Sequence, residues 1–301
     1  MTIAGSPAVT TTAGRPLLGG RRLPLDWVGA VPFLVYVAIF LFLPTAIIVG
    51  GSVLDANGSI TFVNFSHLSR DYIVKATINT FGLSAVTAII GAVFGALLAY
   101  AIAVGNPQGL LRRITLSASG VLAQFGGVTL AFAFIATIGP AGFVYLWFAQ
   151  HHLDFYANGI WLFELTGLAV VYLYFQIPLM VLVFLPALDG IKPQWREATE
   201  SLGGGTWHYW RYVAGPLLAP AFLGATLLLF ANSFSAYATA NALINQGQPV
   251  LAQQIGGALS GEVGSFEPGF AKAIAVEMVV IVTLVTVAYS FLQRRTTRWL
   301  Q

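Results

Sequence analysis

FGLSAVTAIIGAVFGALLAYAIAV, residues 81–104, runs for 24 positions without one charged side chain. As an α-helix it reaches about 36 Å, enough to cross the roughly 30 Å of hydrocarbon in a bilayer. The whole chain agrees with that stretch. Of its 301 residues 57% are hydrophobic and 8% are charged, against roughly 25% charged in ordinary soluble domains. A water-soluble globule is excluded, because the surplus apolar side chains must face lipid or other buried helices. The absence of cysteine excludes a disulfide framework, a thiolate metal site and a Cys nucleophile.

Five further apolar runs have comparable length: Trp27 to Val53, Leu116 to Gly139, Trp161 to Leu188, Pro216 to Tyr237 and Phe270 to Leu292. The first is too long for the apolar stretch of a signal peptide and is expected to be a retained anchor. Unpaired backbone amides are intolerable in lipid, and these runs are too long for the strands of a membrane barrel, so the spans are helices. The expected fold is therefore all-α and polytopic. Residues 1–23 form a disordered tail, residues 24–295 a six-span domain in which an extra first span precedes five others, and residues 296–301 a short C-tail.

The placement of basic residues orients the chain. Arg15, Arg21, Arg22, Arg112, Arg113, Lys192, Arg196, Arg211, Arg294, Arg295 and Arg298 fall on one side of a six-span arrangement, and only Arg70, Lys75 and Lys272 on the other. The positive-inside rule then puts both termini and the fourth loop in the cytoplasm. The net charge of +3 is spent on orientation, so no nucleic-acid partner is expected. Within the second span, Gly91, Gly95, Ala99 and Ala103 recur every four residues, a ridge of small side chains suited to close helix packing. Pro32, Pro44, Pro178 and Pro186 predict kinks.

The fourth loop, 189–215, departs from this apolar background. It carries three of the seven tryptophans, Trp195, Trp207 and Trp210, and a glycine run, Gly203 to Gly205. Pro193 is a good helix starter and glycine a good stop, so a short helix from Gln194 to Leu202, a glycine hinge and a second short segment from Thr206 to Val213 are expected. By composition alone this could be an interfacial hairpin.

The order of residues points further. Glu197-Ala198-Thr199, three residues, Gly203, nine residues, Val213, one residue, Gly215-Pro216 resembles the signature of ATP-binding cassette (ABC) importer permeases, E-A-A, x3, G, x9, I, x, L-P. Spacing matches at every fixed position, with Thr199, Val213 and Gly215 departing in identity. Asn79-Thr80, Ala99-Tyr100-Ala101 and the extra first span are also similar to this family, over roughly residues 25 to 295.

The resemblance implies an integral inner-membrane permease of a prokaryotic type I importer. Its implied partners are two ATPase subunits, a second permease subunit, identical or different, and an extracytoplasmic solute-binding protein. A helix docked on an ATPase would use Glu197, Ala198, Thr199, Leu202, Gly203, Trp207 and Pro216. ATP and magnesium would belong to the ATPases, since this chain has no phosphate loop and no metal-ligand spacing; it is not itself an enzyme.

Polar groups within the spans mark a candidate pathway, because they are costly in lipid. Asn232, Ser235 and Thr239 fall on one expected stripe of span five. Glu277 is the one clear intramembrane charge, with Asn232 a possible hydrogen-bond partner or a cationic solute its contact. Gln124, Gln176 and Tyr172 lie nearer the fourth-loop side. The layout is similar to permeases for polyamines and other small charged solutes, while sugar importers share the core. A six-span secondary transporter or channel is the alternative from another class, and it would require a coupling-ion site or pore charge ring that the sequence does not offer.

Overall fold

A computed structural model describes residues 26–55, 58–157, 159–244, 248–261 and 267–297. The expected N-terminal tail and the last residues of the C-tail lie outside these. The described residues are helical apart from loops and one isolated bridge between Leu54 and Ile60. Six helical stretches are long and apolar enough to cross a membrane: Ala30–Ser52, Asp71–Val104, Gly127–Gln150, Leu165–Asp189, Thr206–Phe234 and Pro268–Phe291. The chain divides into two units, Met1–Ile47 and Ile48–Gln301.

In the first unit, α1 (Asp26–Val37) contains Pro32 and runs through a π turn, Ala38–Phe42, into α2 (Leu43–Ser52), which continues past the unit boundary. The π turn has a local cause. Pro44 cannot donate to the carbonyl four residues back and its ring crowds that carbonyl, so the turn before it widens.

The second unit is built around α4 (Asp71–Val104), which packs mainly on α8 (Leu165–Asp189) and α11 (Gly215–Phe234). The short α3 (Val63–Ser66) precedes α4. The small-residue ridge lies where close packing requires it: a β-carbon at Gly91 would lie 2.9 Å from Gln176 Oε1, and one at Gly95 would lie 2.8 Å from the Ile177 carbonyl. Without side chains on one helix the two backbones approach, which is how helices associate when lipid is as apolar as the helix surface. Ala99 is fully buried in the same seam. Pro178 and Pro186 sit inside α8 without interrupting it.

Several span boundaries differ from expectation. The second span begins at Asp71, ten residues before Phe81, so Asn79 and Thr80 lie inside the helix rather than opening it. The run from Leu116 to Gly139 is not one helix: α5 (Leu110–Gln124) is capped by Phe125, α6 (Gly127–Ile138) restarts at a left-handed Gly127 with φ 71°, and α7 (Phe143–Gln150) completes the apolar stretch. Span four begins at Leu165, after a 3₁₀ turn Trp161–Phe163.

Span five ends at Phe234 instead of Tyr237, and a separate α12 (Tyr237–Leu243) follows. Its other end is longer than expected, because α10 (Thr206–Tyr209) passes through a π turn, Trp210–Ala214, directly into α11. This π turn also ends two residues before a proline, Pro216. The last elements are α13 (Leu251–Ser260) and α14 (Pro268–Thr297), packed on each other.

Candidate functional site

The helix expected in the 189–215 loop is α9 (Pro193–Ser201), with Pro193 in its first turn. It ends in a Schellman arrangement. The Gly203 amide donates to the Glu200 carbonyl at 3.0 Å and the Gly204 amide to Thr199 at 2.9 Å, while Gly203 itself takes φ 79°. These bonds satisfy carbonyls that a helix end leaves open, and the left-handed residue is why glycine belongs there. Thr199 fits the same turn: its hydroxyl donates to the Trp195 carbonyl at 2.8 Å, and its methyl lies 2.8 Å from where a Gly204 β-carbon would be.

The result is a compact two-turn helix whose charged and apolar groups project outward. Glu197, Ala198 and Gly203 are exposed, Leu202 is 89% exposed and Trp207 69%. Arg196 Nε pairs with Glu200 Oε1 at 3.0 Å along the helix, leaving Glu197 to solvent.

The loop is anchored at both ends. Arg112 at the start of α5 makes a two-pronged contact with Asp189 at the end of α8, with Nη1 donating to Oδ1 at 3.2 Å. Beyond the loop, Trp210 meets Tyr100 of α4 edge to face, ring centres 5.3 Å apart. Gly215 stands where the signature has leucine, and the π turn explains it: a β-carbon there would collide with the Trp210 carbonyl.

The expected pathway residues do not share one surface. Because α11 stops at Phe234, Asn232, Ser235 and Thr239 are not one stripe; Asn232 and Ser235 are exposed, whereas Thr239 is buried on α12 and donates to the Gly127 carbonyl at 3.2 Å. Gln124 is exposed at the end of α5. Gln176 and Tyr172 are buried: Gln176 Nε2 donates to Thr87 at 3.2 Å and the Tyr172 hydroxyl to the Ala236 carbonyl at 2.9 Å. Thr239 and Tyr172 thus bring the breaks in spans three and five side by side, an irregular backbone region of the kind that lines cavities in transporters.

Glu277 is half-buried and accepts from Thr77 Oγ1 at 2.9 Å, so its partner is Thr77 of α4 and not Asn232; its Oε2 is buried without a partner. Among the described residues no cluster could hold a metal ion.

Sequence reasoning missed Thr77, whose partner lies 200 positions away, and the ring pair of Tyr100 with Trp210, both of which are tertiary. It also missed the role of Asn79 and Thr80. Asn79 Nδ2 donates to the Pro249 carbonyl at 3.1 Å, and Thr80 Oγ1 accepts from the Leu251 amide at 2.8 Å, so together they fix the start of α13 to α4.

Residues 141–298, just over half of the chain and including the whole 189–215 loop, match the family described as "Binding-protein-dependent transport system inner membrane component". The chain belongs to this permease family. It is thereby a multi-pass inner-membrane protein, as the six apolar helices require. The permease is similar to the sulfate transport system permease protein CysT of Escherichia coli (strain K12), 32% identical over 111 residues, which cover 37% of this chain and 36% of that one. It is also similar to the trehalose transport system permease protein SugB of Mycobacterium tuberculosis (strain CDC 1551 / Oshkosh), 24% identical over 71% of this chain and 67% of that one.

The same fold occurs in a bacterial ABC transporter involved in the import of the acidic polysaccharide alginate, with a TM-score of 0.73 and 18% identity over 90% of this chain and 95% of that one. The MetNI methionine ABC transporter shares it at a TM-score of 0.56, over 74% of this chain and 95% of that one, again at 18% identity.

Proposed function

We propose that this permease forms half of the translocation pathway of an ATP-driven, binding-protein-dependent importer and takes up the ATPase stroke through the 189–215 loop. The observation that carries the reading is α9: a short helix closed at Gly203, with Glu197, Ala198 and Leu202 outward, at the spacing of the family signature. Such a helix can seat in a groove of an ATPase, where Glu197 meets a basic group and Ala198 admits close contact. When two ATPases close on nucleotide, the seated helices are carried together. Through the π turn at 210–214 and α8 they turn the attached spans as rigid bodies, exchanging inward- and outward-facing states. The anchors at Arg112–Asp189 and Tyr100–Trp210 support this transmission, because they tie the loop to α5 and α4.

In this reading the loop and both termini are cytoplasmic, as the distribution of basic residues supports. ATP and magnesium bind the partner ATPases, a second permease of the same or a related sequence completes the pathway, and an extracytoplasmic binding protein delivers the solute. The solute is small and charged, polyamine-like in its positive charge. Glu277 supports this, since its second carboxylate oxygen is buried and unpartnered at membrane depth.

Uptake in liposomes by the complex reconstituted with its ATPases tests both parts. Glu197→Lys and Gly203→Asp are expected to abolish uptake and weaken ATPase association while leaving insertion intact; wild-type uptake by Gly203→Asp overturns the coupling role. Unchanged uptake and solute preference in Glu277→Gln overturns the cationic preference alone.

A further inference from the structure

Between α4, α8 and α11, beside the coupling loop, lies a cavity of about 540 Å³ that the transport reading does not use. Its walls are apolar: Leu97 from α4, Phe184 and Leu188 from α8, and Leu218 and Phe222 from α11. Tyr100 and Trp210 close the end toward the loop. The space exists because its lining is locally small. Gly215 has no side chain, and Ala96 of α4 and Ala219 of α11 contribute only methyl groups to a lining whose other members are large.

The cavity opens outward from the bundle at membrane depth. Leu97 is 59% exposed and Val93 45%, and both lie in the span 71–104. Along α11 the lining runs from Gly215 to Phe222, about 10 Å at 1.5 Å per residue, which fits within one leaflet's share of roughly 15 Å of hydrocarbon. Water has no partner there, because a cavity of this kind lacks the two to four polar groups an ordered water requires.

The loop end is basic. Arg211 follows Trp210 directly and is exposed, its guanidinium 5.7 Å over the Tyr212 ring. Arg196 acts electrostatically on Tyr209, the residue before Trp210, besides pairing with Glu200. An apolar slot of leaflet depth, ended by amphipathic rings, with Arg211 next in the chain to one of them and Arg196 on the neighbouring helix α9, has the chemistry of an anionic lipid: hydrocarbon below, aromatic belt at the interface, cation near the headgroup.

We propose that the cavity holds one acyl chain of an anionic phospholipid from the leaflet on the coupling-loop side, with its headgroup at Arg196 and Arg211. The lipid would fill the space under the π turn and so support the joint through which the coupling helix moves span five. This goes beyond the transport reading and does not depend on which solute is carried.

The test uses the intact transporter, purified from nanodiscs of equal parts phosphatidylcholine and phosphatidylglycerol, with bound lipid counted by native mass spectrometry. Wild type is expected to retain one phosphatidylglycerol per copy of this chain that Ala219→Phe and Ala96→Phe both lose. Arg196→Gln combined with Arg211→Gln is expected to abolish the preference for phosphatidylglycerol over phosphatidylcholine. An unchanged lipid count in both filled variants overturns the proposal.

A second measurement leaves the cavity unfilled. Phosphatidylglycerol brominated along its chains should quench tryptophan emission of the wild-type complex, and Trp210→Phe should remove part of that quenching; quenching unaltered by Trp210→Phe overturns the proposal. The chain has no cysteine, so Ala219→Cys reports on the other occupant: a disulfide-linked pair of permeases would assign the cavity to the interface between permease copies and overturn the lipid.

Discussion

Thr77 Oγ1 on α4 donates to Glu277 Oε1 on α14 at 2.9 Å, a part-buried hydrogen bond between the second and sixth spans. The same hydroxyl donates to the Ile73 carbonyl at 3.0 Å, so its proton is shared between the helix and the carboxylate. Removing the hydroxyl leaves both carboxylate oxygens of Glu277 without a partner, an expensive state at membrane depth. Thr77→Val is therefore expected to destabilise the complex by about 1–3 kcal/mol, read as a lower thermal midpoint. In a Glu277→Gln background the same change should cost less, because no charge is then stranded. Equal costs in the two backgrounds would show that the pair is not coupled.

The seam between α4 and α8 gives a paired experiment. Gly95→Ala drives a β-carbon to 2.8 Å from the Ile177 carbonyl, which cannot retreat without moving α8. Overpacking of this kind costs about 1–3 kcal/mol. Gly82→Ala, on the same helix with nothing within 4 Å of the added carbon, should be neutral or slightly stabilising by helix propensity. Thermal unfolding in detergent separates the two, and an equal effect at both positions would remove close approach as the reason for the glycine ridge.

Thr80 caps α13 from another helix. Its hydroxyl accepts from the Leu251 amide at 2.8 Å and donates to the Ala76 carbonyl at 2.7 Å, all in buried surroundings. Thr80→Val keeps the shape and strands the amide, an expected loss of about 1–3 kcal/mol, whereas Thr80→Ser keeps the bond. Hydrogen exchange across 251–260 should speed up in the valine variant and stay near wild type in the serine variant.

What the sequence made legible follows from which forces act locally. Hydropathy located six membrane-crossing stretches because composition alone pulls them out of water. It placed the start of α4 ten residues late because Asp71 and Lys75 interrupt the apolar count, although Asp71 sits in the first turn, where a helix favours negative charge. It read Leu116 to Gly139 as one span because the lone polar Gln124 beside Phe125–Gly126 does not interrupt the apolar count; the adjacent glycines were the available signal, and the break is held by Thr239 from α12. In the 189–215 loop the helix stop at Gly203 was legible, since a left-handed C-cap is a local matter. The partner of Glu277 was not, since contact across 200 positions is decided by packing. Gly215 read as a departure from the signature and makes sense only beside the π turn that needs it.

Helix α9 offers the most local test of the proposed coupling to an ATPase. Gly203 takes φ 79° with open space around a would-be β-carbon, so a substitution there strains the backbone without clashing. An alanine forced into this region costs about 1–2 kcal/mol, and asparagine less. Gly205 is equally open but sits at φ −88°, which any residue adopts. Gly203→Ala should therefore loosen the end of α9 and weaken ATPase association by roughly tenfold, Gly203→Asn should weaken it less, and Gly205→Ala should leave it unchanged. Binding of the purified ATPase to the permease in nanodiscs measures all three. If Gly203→Ala binds like wild type, or Gly205→Ala is as damaging as Gly203→Ala, the Schellman turn is not what presents Glu197 to the ATPase.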